Sequence, residues 1–411
     1  MDRRFTGNLK ISMLNTPQQS PERLHGMDAL RAIAMLLGIV LHATISYKVF
    51  HDPSTWPADP QYHFIGYDYL YLWIHSFRMQ LFYLVAGFFA RFLYLKIGEK
   101  PFIRHRAKRI LLPFILSLIL LVPFSLTPFL YYHFRHFPHP WHDVARQLLR
   151  WNGMVHFWFL YYLLFFYVAM LILIHLGKLI RISLPGKDSA RKLPDLSLYR
   201  TVLVLVIPLT ALLYLFNTPM VEVYTGIFPK ITYFSYFGFF FLLGWWLNNR
   251  MDCLRKTSRL GWPLLLIGTA LTWPMMYLTT REASLSLHLG GLYWLIVRSL
   301  GALQTISLVF GGLGLFMHYF REESRTLRYI SDSSYWLYLI HMGILASLQI
   351  LFFHSLIPGP FRFFLVLSIT LGISFISYDW FIRYTIIGEM LHGKRKRLHK
   401  HSNPGKPSST A

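Results

Sequence analysis

Apolar runs of about 20 residues recur along this chain from one end to the other. A lipid bilayer is the solvent in which that much apolar surface is stable. Ten such runs can be placed, at 27–47, 68–93, 108–131, 155–177, 199–217, 231–249, 260–278, 292–317, 332–354 and 361–384. About 20 residues of helix cross the hydrocarbon core. Inside lipid every backbone N–H and C=O must find its partner within the segment, so the runs should be helices. The chain is 54% hydrophobic and only 14% charged. Its mean hydropathy is +0.40. A soluble globule would expose far too much of that surface. The expected fold is all-α, a polytopic integral membrane protein of about ten transmembrane helices. The eighth run fits either one tilted helix or a helix plus a re-entrant piece, because apolar character extends from Leu289 to Phe320 around Arg298.

The formal net charge of +23 could suggest nucleic acid. Its distribution points to membrane topology instead. Alternate loops and the two tails hold 29 of the 41 Lys and Arg residues, counting the first two residues of a run with the loop before it. The opposite loops hold 7, and 5 fall within the runs. By the positive-inside rule both termini should be cytoplasmic. This gives a cytoplasmic tail at 1–26, a membrane domain at 27–384 and a basic cytoplasmic tail at 385–411. Lys394-Arg395-Lys396-Arg397 reads as a topology anchor. The first 25 or so residues lack a short apolar core followed by a small-residue cleavage site, so the first run is expected to be retained. A single cysteine, Cys253, excludes an intrachain disulfide. No zinc-type spacing, phosphate loop or nucleophile elbow is present, and no metal or permanently bound cofactor is expected. Segment 132–154 carries His133, His136, His139, His142, Trp141 and Trp151 on the outer side. It could touch a sugar or simply form an interfacial aromatic belt. No internal repeat is apparent, which weighs against an inverted-repeat transporter.

Chemistry enters through ionisable residues at membrane depth, where each is expensive to keep. The first run carries Asp28, Arg31 and His42. Eleven residues make three helical turns plus about 20°, which places Arg31 and His42 on one face about 16 Å apart. Asp28 lies within one turn of Arg31 and can pair with it. In the second run, His75 and Arg78 are three residues apart and should share a helix face, at about the depth of His42. Arg298 falls in the outer part of the eighth run and His341 near the middle of the ninth. This layout suggests a polar tunnel with an inner anion site and an outer histidine site. Histidine suits general-base work and a guanidinium suits a carboxylate or phosphate. Plainer roles are open: His341 and His156 as structural histidines bonded to backbone carbonyls, and Arg298 as a residue reaching back to the interface. Gly38, Gly87 and Gly244 read as close helix contacts.

The sequence Asp28-Ala29-Leu30-Arg31, with the Arg-x10-His spacing to His42, resembles the acyltransferase 3 family of integral membrane acyltransferases. Ile74-His75-Ser76-Phe77-Arg78-Met79-Gln80-Leu81-Phe82-Tyr83-Leu84-Val85-Ala86-Gly87 is similar to the branch that succinylates osmoregulated periplasmic glucans. His156-Phe157-Trp158-Phe159-Leu160 and Tyr338-Leu339-Ile340-His341 are weaker matches to the same branch. Ala86 stands where a serine is common. The resemblance implies a ten-helix enzyme of the bacterial inner membrane. Such an enzyme moves an acyl group, succinyl or acetyl, from cytoplasmic acyl-CoA to a hydroxyl of a periplasmic glucan or other envelope polysaccharide. It implies His42 as the catalytic histidine and Arg31 as a contact to the donor. His75 or Arg78 would then stabilise the oxyanion or hold a succinyl carboxylate. Asp28, His341, Arg298 and Trp158 are placed with Arg31 as substrate-binding residues. Two other readings are carried: an O-acetyltransferase of lipopolysaccharide, and a transporter or flippase whose Arg/His chain carries protons or an anionic solute.

Overall fold

The structure, a computed structural model, describes residues 25–51, 56–151, 153–180, 198–218, 220–250 and 257–393. Most of the N-terminal tail, Cys253 and the Lys394–Arg397 cluster lie outside the described residues. The chain opens with α1 (His25–Ile45), α2 (Ile65–His75), α3 (Arg78–Ile97) and α4 (Glu99–Arg106). A wide turn leads from α4 into α5 (Leu112–Phe134), followed by α6 (Pro140–Arg150) and α7 (Trp158–Leu179). Next come α8 (Leu198–Leu213), α9 (Ile231–Asn248), α10 (Gly261–Ala270), α11 (Thr272–Thr280) and α12 (Glu282–Leu289). The last four are α13 (Gly291–Tyr319), α14 (Arg325–Phe352), α15 (Gly359–Ser377) and α16 (Ile386–His392). Among the described residues the one strand-like feature is an isolated bridge between Gly153 and Gly226.

Seven helical segments among the described residues are long and apolar enough to cross a membrane: 25–45, 65–97, 99–134, 155–179, 291–319, 325–352 and 359–382. The other three predicted runs are helical but shorter or interrupted. The fifth is a 16-residue helix carrying Pro208. The sixth, α9, has 18 residues and includes Asn248. The seventh is divided at Leu271 into α10 and α11. The eighth is settled as a single helix of 29 residues. The segment expected to begin the C-terminal tail instead forms α16, with Thr385 accepting the Gly388 N–H as its N-cap.

α1 is the hub. It packs against α2, α3, α13, α14 and α15. Its small residues Gly26, Ala29, Ala32 and Ala34 are buried and let neighbouring helices come close. The tightest pairing joins α3 to α9. A β-carbon at Gly87 would fall 1.9 Å from the Phe241 carbonyl oxygen, and one at Gly244 would fall 1.8 Å from that of Leu84. The two glycines therefore let two backbones touch reciprocally. That contact fixes the helix carrying Arg78 against the bundle.

Candidate active site

The second predicted run does not continue through its polar stretch. It breaks at Ser76–Phe77, where Phe77 leaves helical geometry at φ −136°, ψ −23°. The hydroxyl of Thr305 on α13 donates to the exposed Ser76 carbonyl at 2.9 Å. The Ser76 hydroxyl donates back to the Trp73 carbonyl at 2.9 Å. These bonds satisfy groups that a break would otherwise leave unpaired. The consequence is functional: His75 ends α2, Arg78 begins α3, and the expected shared face is lost. The His75 ring stacks on Tyr71 with centroids 5.4 Å apart. Its Nε2 lies 2.9 Å from the Val221 carbonyl, toward the segment between α8 and α9. The Arg78 guanidinium lies against α1 at Gly38.

His42 sits in the last turn of α1 and meets α14 there. Its ring centroid is 5.4 Å from that of His341. His341 in turn lies 5.2 Å from His156, just before α7. His341 and His156 are both bolted to Tyr338. The Tyr338 carbonyl accepts from His341 Nδ1 at 2.8 Å and from His156 Nε2 at 3.1 Å. The Tyr338 hydroxyl donates to the His156 carbonyl at 2.6 Å. His341 and His156 are 2% and 5% exposed. The remaining nitrogens, His341 Nε2 and His156 Nδ1, are buried and without a partner among the described residues, as is His42 Nδ1. Among the described residues no three His, Cys, Asp or Glu side chains are arranged to hold a metal.

The guanidinium of Arg78 lies against Gly38, one turn inward of His42 on α1. A β-carbon at Gly38 would sit 2.1 Å from Arg78 Nη1. Gly38 is therefore a cradle for a side chain rather than the helix-to-helix contact expected of it. Among the described residues Nη2 donates to Met79 Sδ at 3.4 Å and Nε has no partner. A buried guanidinium normally pairs with a carboxylate or a fan of carbonyls. Here Nε stands without a partner among the described residues, with His42, His75, His156 and His341 within electrostatic reach.

The loop between α1 and α2 roofs this cluster. Trp56 stacks on His42 with centroids 5.5 Å apart and planes 10° off parallel. Its indole N–H donates to Gln349 Oε1 at 3.0 Å and to Ser46 Oγ at 3.2 Å. Phe129 of α5 packs edge-on at 4.7 Å. The loop itself is held by a buried ion pair, Arg362 to Asp59 at 3.2 Å. Nearby, burial lowers the pKa of Lys48, opposed by Asp68.

The remaining predicted residues stand apart from the histidines. Arg31 pairs with Asp28 at 3.6 Å and donates to Ser331 Oγ at 3.1 Å, in the N-terminal part of α1. The small cavity lined by Asp28, Glu322, Glu323 and Asp332 holds about 30 Å³, room for water only. Arg298 is occupied: it donates to the Leu213 and Phe216 carbonyls at 3.1 and 2.7 Å, just past α8, between the rings of Tyr214 and Trp294. Trp158 is buried against Phe237, with centroids 5.4 Å apart. Two residues of the cluster, His156 and Trp56, were not among the predicted site residues. His156 had a signal in the His156–Leu160 segment. Trp56, in a loop with no periodic pattern, had none.

The chain is 28% identical over 176 residues to glucans biosynthesis protein C of Escherichia coli strain SMS-3-5. It is 28% identical over 175 residues to the protein of that name from Shigella dysenteriae serotype 1. For Escherichia coli K12 the figure is 27% over 176 residues. Each alignment covers 42% of this chain and 43% of the relative, so less than half of either is matched. No solved structure matches. The acyltransferase domain model of the acyltransferase 3 family, by contrast, matches residues 24–379, which takes in α1, the broken second segment and the Tyr338–His341 turn alike. On that match, this multi-helix membrane protein belongs to the acyltransferase 3 family.

Proposed function

We propose that this chain transfers an acyl group from cytoplasmic acyl-CoA to a hydroxyl of a periplasmic glucan or related envelope polysaccharide, at the bacterial inner membrane. The observation that supports this most is chemical complementarity. Among the described residues the ring nitrogens His42 Nδ1, His156 Nδ1 and His341 Nε2, and the Nε–H of Arg78, are buried without a partner, on groups within electrostatic reach of His42. A hydroxyl would meet the former, and a carbonyl or carboxylate the latter. Buried groups left unsatisfied cost about 1–3 kcal/mol each, so the site suits a ligand bearing both.

In this reading His42 takes the proton of the acceptor hydroxyl as its oxygen attacks the thioester carbonyl carbon. Negative charge collects on the carbonyl oxygen, where the N–H groups of Arg78 can stabilise it. The carbonyl re-forms, the carbon–sulfur bond breaks, and His42 returns the proton to the leaving thiolate. The products are an ester and free CoA. Arg31 would meet the donor from the inner end. His75, tied to the Val221 carbonyl, takes no proton step here. Trp56 excludes water from His42. For a succinyl donor, Arg78 would instead be well suited to the distal carboxylate.

The test uses purified protein in liposomes, labelled succinyl-CoA or acetyl-CoA, and an extracted periplasmic glucan. Label should enter the glycan with wild type and not with His42→Ala. Transfer that persists in His42→Ala overturns the assignment. Arg78→Ala should lower succinyl transfer more than acetyl transfer if Arg78 holds the carboxylate. An equal loss would assign it to the oxyanion alone.

A further inference from the structure

The two histidines beyond His42 have a property that the acyl-transfer step does not use. Each is fixed in one tautomer. A backbone carbonyl can only accept, so His341 Nδ1 and His156 Nε2, both directed at Tyr338 O, must carry the protons. In the neutral imidazoles the opposite nitrogens, His341 Nε2 and His156 Nδ1, are then pure acceptors. Both are buried, both lack a partner among the described residues, and their rings are 5.2 Å apart. A structural histidine would be content with its carbonyl. Two adjacent, preset, unsatisfied acceptors are a feature of recognition, since a site built to accept from hydroxyls rejects a ligand lacking them.

We propose that His156 and His341 together bind the acceptor saccharide, each accepting a hydrogen bond from one of its hydroxyl groups. In this way they present a chosen hydroxyl to His42. This rests on the acyl-transfer reading above and gives it a determinant of acceptor choice. His156 is thereby a substrate-binding residue. The ligand class is a polyol with neighbouring hydroxyls. A simple alcohol or a thiol would leave one acceptor bare.

Matched substitutions separate this role from support of the fold. His341→Asn keeps an N–H at the δ position for the Tyr338 carbonyl and removes the ε lone pair. His156→Gln keeps an N–H at the ε position and removes the δ lone pair. His341→Gln supplies an oxygen where the ε lone pair was. Acyl transfer is measured with a glucose disaccharide and its monodeoxy analogues. In wild type, removing the bound hydroxyl should raise the acceptor KM about tenfold. His341→Asn or His156→Gln should raise it similarly, with the KM for acyl-CoA unmoved. In the matching variant the deoxy acceptor should then lose nothing further, because the two changes delete one bond. His341→Gln should recover part of the loss. Losses that multiply for every deoxy position in both variants, or a rise in both KM values together, would overturn the assignment while leaving acyl transfer intact. A wild type that transfers no label overturns both readings at once.

Discussion

The cradle at Gly38 makes a prediction that separates folding from function at a single atom. In Gly38→Ala the new methyl would lie 2.1 Å from Arg78 Nη1. Ordinary contact begins at 3.4 Å, so the guanidinium must retreat by at least about 1.3 Å. What moves is the far end of a flexible side chain, so the cost in stability is small. Overpacking of about 1–3 kcal/mol is set against about 1 kcal/mol gained from replacing glycine within a helix. The variant should therefore fold, with its melting temperature in detergent within a few degrees of wild type. The rate should not survive as well. Misplacing a group by about 1 Å costs about 100-fold, or about 2.7 kcal/mol of transition-state stabilisation. The assay is the liposome transfer reaction, run beside size-exclusion chromatography and a thermal melt. A folded Gly38→Ala protein with wild-type turnover would refute the reasoning, since the seating of Arg78 beside His42 would then be immaterial. A variant that fails to fold would refute it too, since Arg78 would have had no room to yield.

The opposite balance holds at the α3–α9 contact. Gly87→Ala or Gly244→Ala would set a methyl 1.9 or 1.8 Å from a backbone carbonyl, which cannot swing away. Either should cost at least about 3 kcal/mol and be read as aggregation or loss of the monodisperse peak. Opening the roof should alter the fate of the donor rather than the fold. Trp56→Ala removes the stack on His42 and the bonds to Ser46 and Gln349. Free carboxylic acid released from acyl-CoA should rise severalfold relative to glycan ester, and an unchanged ratio would remove the water-excluding role.

The sequence carried the architecture well because lipid leaves the chain few options. All ten apolar runs became helical, and the ambiguous run around Arg298 became one helix. Gly87 and Gly244 could be read in advance as close helix contacts, though not as partners in one reciprocal contact, and the same reading fails at Gly38, which cradles Arg78. The break at Ser76–Phe77 could not. No proline or glycine marks it, and the group that stabilises it is Thr305, more than 200 residues away. A continuous helix was assumed, and with it a face shared by His75 and Arg78 that does not exist. Arg298 misled for a related reason. Its partners are main-chain carbonyls just past α8, which have no signature in the sequence.

What the sequence least reveals is which polar groups remain unpaired after folding. Counting ionisable residues at membrane depth places Arg298 and Arg78 in one class. The fold separates them: Arg298 spends its donors on two carbonyls, whereas Arg78 Nε is left over. His75 and His341 divide similarly. Both reach a main-chain carbonyl, but His341 Nε2 is left over, buried and without a partner among the described residues. A polar group that costs free energy to bury and finds no partner in the fold is retained against the ordinary tendency of interiors to satisfy every donor and acceptor. Among the described residues buried atoms without a partner occur elsewhere in the bundle too, Ser125 Oγ, Ser307 Oγ and the Tyr335 hydroxyl among them. What marks the site is that His42 Nδ1, Arg78 Nε, His156 Nδ1 and His341 Nε2 belong to groups gathered around one point of the fold. Ring nitrogens and a guanidinium N–H brought together beneath an aromatic roof are the pattern expected of groups reserved for a substrate.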